Sequence, residues 1–209
     1  MRIEIRNNSV VIDGYVNAVL RDSKPIPRPG GKFVEQIMPK AFERALGKAT
    51  NVDILLNHNK LRNLGSTVGG NLELFEDNIG LRAIATITDA EVITKAKNKE
   101  LRGWSFGFYS DKDKWEDVNE GLQRRFVEEL ELTEVSIIDN TRIPTYIGTS
   151  IETREDKEVT VETREEDAKA ITEDISTKEE KRADEKEEDK IDYTIQEREI
   201  QILKMKGGK

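Results

Sequence analysis

Cysteine is absent from this chain of 209 residues, and histidine occurs once. The first absence removes disulfides, thiolate metal ligands and a cysteine nucleophile; the second leaves too few imidazoles for an ordinary zinc site. No metal and no other cofactor is expected. Long apolar runs are missing too. Nothing approaches the ~18 residues that a membrane-spanning helix needs, and the first six residues alternate charge where a secretory signal would be apolar. The expectation is a soluble protein of a reducing cytoplasm, with no membrane partner. Surplus positive charge is also lacking, since the formal net charge is -8. Binding to a phosphate backbone draws its affinity from Lys and Arg, so no nucleic acid is expected as a primary partner.

The scarcity is uneven. Residues 151–209 hold 20 Asp/Glu against 13 Lys/Arg, net -7, which leaves 22 against 21, net -1, for residues 1–150. Past Thr149 proline vanishes and Tyr193 is the last aromatic residue. So little apolar surface cannot offset the entropy of ordering the chain. A boundary near residue 150 follows: a folded domain over 1–150 and a charged low-complexity tail over 151–209, solvated and partly helical or disordered. Glu152-Thr153-Arg154-Glu155-Asp156 recurs at Glu162-Thr163-Arg164-Glu165-Glu166-Asp167, too short a pair for a repeat architecture. Residues 191–205 are richer in Ile and Leu and fit a frayed amphipathic helix or a partner-docking one.

Residues 1–150 carry mostly strand patterns. Arg2–Ile5 and Val10–Leu20 read as strands about the turn Arg6-Asn7-Asn8-Ser9. Pro25, Pro27, Pro29, Gly30 and Gly31 make a loop before an extended Phe33–Ile37. Pro39 opens a short helix, Lys40–Gly47, with Phe42 and Leu46 inward. Val52–His58, Val68–Phe75 and Gly80–Thr88 read as strands, the last two as a hairpin about Glu76-Asp77-Asn78. Asp89 is placed to cap a helix over Ala90–Lys99, and strands follow at Gly103–Ser110 and Arg124–Asp139. The fold class is mainly β with flanking helices, about seven or eight strands and two helices.

Three residues stand out chemically. In Gly103-Trp104-Ser105-Phe106-Gly107-Phe108, alternation puts the aromatic rings on one face and Ser105 on the other, between two glycines. That leaves a hydroxyl where a peptide backbone can approach closely, although a barrel corner relieved by glycine produces the same pattern. His58 sits where a strand enters the polar turn Asn59–Asn63, a place that suits a base exchanging protons, though an ordinary surface histidine is commoner there. Glu134 alternates with Leu132, Ser136 and Ile138 on one face, where a carboxylate wants a partner. It either holds an imidazole, faces solvent, or pairs with Arg124 or Arg125.

Taken in order, Phe33-Val34-Glu35-Gln36-Ile37-Met38-Pro39-Lys40-Ala41-Phe42, Leu55-Leu56-Asn57-His58-Asn59 with Leu64-Gly65-Ser66-Thr67, Ser105-Phe106-Gly107-Phe108 and Leu132-Thr133-Glu134-Val135-Ser136 resemble the procapsid (prohead) protease family of tailed phages. That family is related in fold to the herpesvirus assembly proteases. The resemblance spans most of residues 10–150. It implies a closed or nearly closed β-barrel, Ser105 as nucleophile and His58 as general base. The third, acidic member carries over to Glu134, with Asp139 nearby on the same stretch. Trp104 stands where the family often has methionine, and Asp139–Tyr146 only approximates the usual proline-rich exit.

The activity implied is serine endopeptidase cleavage of scaffold and major capsid protein segments inside an assembling procapsid, in a bacterial host's cytoplasm. Self-cleavage that removes the tail beyond about residue 150 is expected too, and self-association can complete a shallow groove. The competing expectation is a non-catalytic assembly or scaffolding factor that keeps the fold.

Overall fold

Runs of β-branched and apolar residues between polar turns dominate residues 1–140, and the described residues fold accordingly into strands with two short helices. The computed structural model describes residues 1–119, 121–141, 149–154, 157–165 and 171–175. In chain order its elements are β1 (Arg2–Ile5), β2 (Val10–Ala18), β3 (Ile26–Arg28), β4 (Gly31–Ile37), α1 (Ala41–Lys48), β5 (Asp53–Leu56), β6 (Asn59–Ser66), β7 (Leu72–Glu76) and β8 (Gly80–Ile87). Then come α2 (Ala90–Lys97), β9 (Leu101–Asn119), β10 (Leu122–Asp139), β11 (Thr149–Arg154), β12 (Lys157–Glu165) and β13 (Ile171–Asp174).

The strands divide between two sheets, ordered β13-β1-β2-β8-β7 and β11-β12-β9-β10-β4-β3, with β5 pairing β10 and β6. Among the described residues neither closes, so the expected closed or nearly closed barrel is corrected to two open sheets. The physical reason lies in the ladders. Strand β9 spends both its edges within its own sheet, on β10 and β12, and meets β2 of the other sheet by packing. Ile3, Ile5 and Ile12 of the first sheet and Trp104, Phe106, Phe108, Val135 and Ile137 of the second bury themselves in one shared core. Gly14 on β2 makes room there, because a Cβ at that position would stand 3.1 Å from the indole Nε1 of Trp104.

Strand β10 organises the site. One edge pairs with β9 along its length; the other pairs in parallel with β4 over Leu122–Val127 and with β5 over Glu134–Ile137. Helix α1 fills the chain between β4 and β5 and lays Phe42 edge-on to Phe106, ring centroids 5.4 Å apart. It begins at Ala41, after Lys40 in the left-handed region, and has no local side-chain cap. Instead the Glu76 carboxylate, brought by β7, accepts the backbone N–H groups of Lys40 and Glu43 at 2.5 and 2.8 Å. A carboxylate at a helix N-terminus satisfies orphan donors and opposes the dipole. In α2 the cap is local, with Asp89 accepting from the Val92 N–H.

Two sequence expectations are revised at the edges. The polar segment Asn59–Asn63 belongs to strand β6, exposed on most residues, and the β9–β10 ladder runs outward to Asn119 and Leu122 through charged residues. The described parts of the tail are strand rather than helix. Strand β12 adds to β9, and β13 adds in parallel to β1. Residues 191–205 and the exit segment 142–148 lie outside the described residues. Met1–Asp174 form one compact unit.

Candidate active site

Strand β9 brings Ser105 inward. Trp104, Phe106 and Phe108 anchor one face of the strand in the core, and their alternation turns the Ser105 hydroxyl to the opposite face. Across the ladder Ser105 stands opposite Ser136, and Gly107 opposite Glu134. Ser105 and Ser136 are both fully buried.

His58 arrives on a tight turn. Leu56 of β5 pairs with Asn59 of β6, leaving Asn57 and His58 as a two-residue connection in which both have φ of 56°. Positive φ at both central residues is the signature of a type I′ hairpin turn, a position where Asn is at home and His is tolerated. Left-handed backbone costs a non-glycine residue about 1–2 kcal/mol, so such a turn persists when neighbours hold it. Here β10 does so: the Asn57 N–H donates to the Ile137 carbonyl at 2.9 Å, and the His58 N–H donates to Ser136 Oγ at 3.1 Å. Asn57 Oδ1 also accepts the Asp139 N–H at 3.1 Å.

The imidazole is thereby set between the two strands. His58 Nε2 lies 2.7 Å from Ser105 Oγ, and Nδ1 lies 2.6 Å from Glu134 Oε1. The second carboxylate oxygen, Oε2, accepts from Ser136 Oγ at 2.6 Å. Ser136 thus links the His58 backbone to the Glu134 side chain, closing a ring of hydrogen bonds about the imidazole. The His58 and Glu134 side chains retain 10% and 13% exposure, so the pair is shielded from water without being sealed from it.

Each sequence-derived candidate has a definite place. Ser105, His58 and Glu134 are brought together in one line of hydrogen bonds. Asp139, the neighbouring alternative, is turned elsewhere: its carboxylate meets Lys95 Nζ of α2 at 3.0 Å and accepts from the Thr141 N–H at 2.9 Å and its hydroxyl at 2.5 Å. Burial alone would raise the Asp139 pKa, but hydrogen bonds from Thr141, Lys95 and Asn57 outweigh it and hold the group at about 2. Arg124 and Arg125 do not reach Glu134. The first forms two bonds to Asp22 and the second bridges Asp113 and Glu35.

One face assignment changes. Leu132 joins the core with Val135 and Ile137, while Glu134 and Ser136 point to the site, because the β9–β10 register shifts between Leu132 and Glu134. Thr133 is the extra residue of that bulge, and a bulge reverses strict alternation. Its hydroxyl is buried without a hydrogen-bond partner among the described residues. Sequence reasoning also missed Ser136, whose only signal was a hydroxyl two residues from Glu134 on the same face. Among the described residues no group of three or more His, Cys, Asp or Glu is placed to hold a metal ion, and no helix is long and apolar enough to cross a membrane.

A serine hydroxyl, an imidazole and a carboxylate joined in this order make the type of site found in serine hydrolases. The family comparison agrees: the chain matches the caudovirus prohead serine proteases over residues 1–164 and belongs to that family. It is therefore a serine-type endopeptidase of phage procapsid maturation. No curated protein and no solved structure gives a significant match.

Proposed function

We propose that Ser105 is the nucleophile of this protease, His58 its general base and Glu134 the group that orients the imidazole and stabilises the imidazolium. The observation that carries the proposal is the unbroken line from Ser105 Oγ through both ring nitrogens of His58 to Glu134, at 2.7 and 2.6 Å. In the reaction His58 Nε2 takes the Ser105 proton as Oγ attacks the scissile carbonyl. The tetrahedral adduct collapses to an acyl-enzyme as the imidazolium gives its proton to the leaving amine. Water then enters, loses a proton to His58, and releases the acid while Ser105 recovers its hydrogen. Glu134 stays ionised throughout and balances the imidazolium.

The substrates we assign are the scaffold and capsid-protein segments of the assembling shell, together with this chain's own tail beyond about residue 150. The site of action is the procapsid in the host cytoplasm, with neither nucleic acid nor membrane as a primary partner. Co-expression with the capsid and scaffold proteins, wild type against Ser105→Ala, tests this through chain lengths read by mass spectrometry. Processing lost only in the variant is the expected result. Processing unchanged in the variant sinks the nucleophile; no processing in either, with shells still assembling, favours a non-catalytic assembly factor.

A further inference from the structure

Strand β9 has two edges at the nucleophile. One carries β10, which brings Glu134 and Ser136. The other, over Ser105–Phe108, carries β12 of the tail in antiparallel register: Glu165 opposite Ser105, Arg164 opposite Phe106, Thr163 opposite Gly107 and Glu162 opposite Phe108. Strand β11 pairs with β12 only as far as Glu162, so Thr163–Glu165 have β9 as their one partner strand among the described residues. Ser105 is fully buried in the folded chain, yet a nucleophile must be met by a carbonyl carbon.

We infer that the Ser105–Phe108 edge of β9 is a binding site for an extended peptide strand, and that residues 162–165 of β12 occupy it in cis as a competitor of substrate. This rests on the reading of Ser105 as nucleophile. An unpaired strand edge is a ready template for another backbone, and peptide recognition by strand addition uses that edge directly. The occupant suits the role. Val159, Thr160, Val161 and Thr163 are β-branched, so this charged stretch prefers extended backbone despite its composition. Gly107 faces Thr163 in the ladder, where β9 itself offers no side chain of its own to hinder an approaching strand.

Tethering gives the competitor an advantage. A segment joined by a short linker acts at an effective concentration in the millimolar range, so a substrate in trans displaces it only when comparably concentrated. Dilute substrate would then be cut slowly and crowded substrate readily, which is a restraint suited to a protease that works inside a shell.

The test uses the full-length chain and a fluorophosphonate probe, which reports whether the Ser105 hydroxyl can be reached and activated. Wild type, Thr163→Pro/Arg164→Pro and Ser105→Ala are compared for labelling rate, with circular dichroism confirming the fold and intact mass confirming that each labelled chain retains residues 157–165. Proline removes the donor N–H that the ladder uses; Thr163→Gly/Arg164→Gly serves if the proline pair unfolds. We expect labelling at least about tenfold faster in the strand-breaking variant than in wild type, and none in Ser105→Ala. A synthetic peptide of residues 157–165 at millimolar concentration should return the variant to the wild-type rate, while a scrambled peptide should not. Equal rates in wild type and variant overturn the inference while leaving the nucleophile standing. Absence of labelling in every folded chain overturns the nucleophile reading and this inference with it.

Discussion

Gly107 lies directly beneath Glu134: a Cβ at Gly107 would stand 2.8 Å from Glu134 Oε1 and 2.7 Å from Thr133 Oγ1. The carboxylate that meets His58 therefore crosses β9 where that strand carries no side chain. Gly107→Ala should push Glu134 off the imidazole, lowering kcat by about a hundredfold, because small misplacements in a catalytic constellation are amplified in rate. Overpacking adds about 1–3 kcal/mol of instability. Steady-state kinetics at a temperature where both proteins are folded should show kcat falling with KM little changed. A variant that retains full activity would remove the steric role assigned here to Gly107.

Ser136 Oγ accepts the His58 backbone N–H and donates to the Glu134 carboxylate, which places it to position both rather than to react. Ser136→Ala leaves both without this partner in a buried place, a loss of about 1–3 kcal/mol. We expect kcat to fall about tenfold while KM holds, since roughly 1.4 kcal/mol of barrier is tenfold in rate. A purely structural role would lower the denaturation midpoint and leave the turnover of folded protein intact. Comparing the two readouts on one preparation separates them.

Two carboxylates compete for the third role, and their partners separate them. Glu134→Gln keeps the shape but removes the charge that balances the imidazolium, so kcat should fall by about 10³–10⁴, the scale known for such a replacement in a serine-protease triad. Asp139→Asn disturbs only the bonds to Lys95, Thr141 and Asn57, and folded protein should keep activity within about tenfold of wild type, as an indirect effect. Peptide cleavage assays on both variants decide the matter. A greater loss in Asp139→Asn would transfer the role.

How much of this was legible depended on what each segment buries. β1 appears at its expected bounds, and α2 starts after the Asp89 cap, because local chemistry and burial agree there. The inward aromatic face of Trp104, Phe106 and Phe108 was readable from period-two alternation, and with it the face that Ser105 occupies. Strand β6 was not, since Asn59, Lys60 and Leu61 are exposed and leave no apolar imprint. The bulge at Thr133 defeated the face assignment of Leu132 for a different reason: one extra residue reverses parity without any mark in composition. The ladder of β12 escaped notice because its β-branched residues sit among charges, and composition averaged over the tail hides them. Closure of a barrel was an expectation from resemblance, and the open strand order of the two described sheets corrects it.

The Asn57-His58 turn offers a test of how the imidazole is held. Asn57→Gly restores backbone freedom at φ of 56° but loses the side-chain bond to the Asp139 N–H. Asn57→Val loses the same bond and adds the strain of a β-branched residue in the left-handed region. The valine variant should therefore be less stable than the glycine variant by at least about 1–2 kcal/mol, the cost of that conformation. Denaturant titrations of the three proteins measure the difference. Equal stability of the two variants would mean that the turn relaxes to negative φ and is not held by β10.

Asp139 gives the fold a pH dependence whose sign can be worked out. Its pKa is lowered from 3.8 to about 2 in the folded chain, so the unfolded chain binds the proton more tightly. The associated stability is fully present above about pH 4 and is lost as pH falls through the folded value near 2. Each pKa unit corresponds to about 1.4 kcal/mol, which puts the contribution at about 2 kcal/mol. Asp139→Asn should thus be less stable than wild type at pH 7 by an amount of that order, partly because Lys95 loses its buried partner. The gap should narrow between pH 4 and pH 2, as wild type gives up what the variant never had. Urea titrations of both proteins across that interval provide the check. A gap that stays constant with pH would assign the loss to packing about Lys95 and Thr141 rather than to the ionised carboxylate.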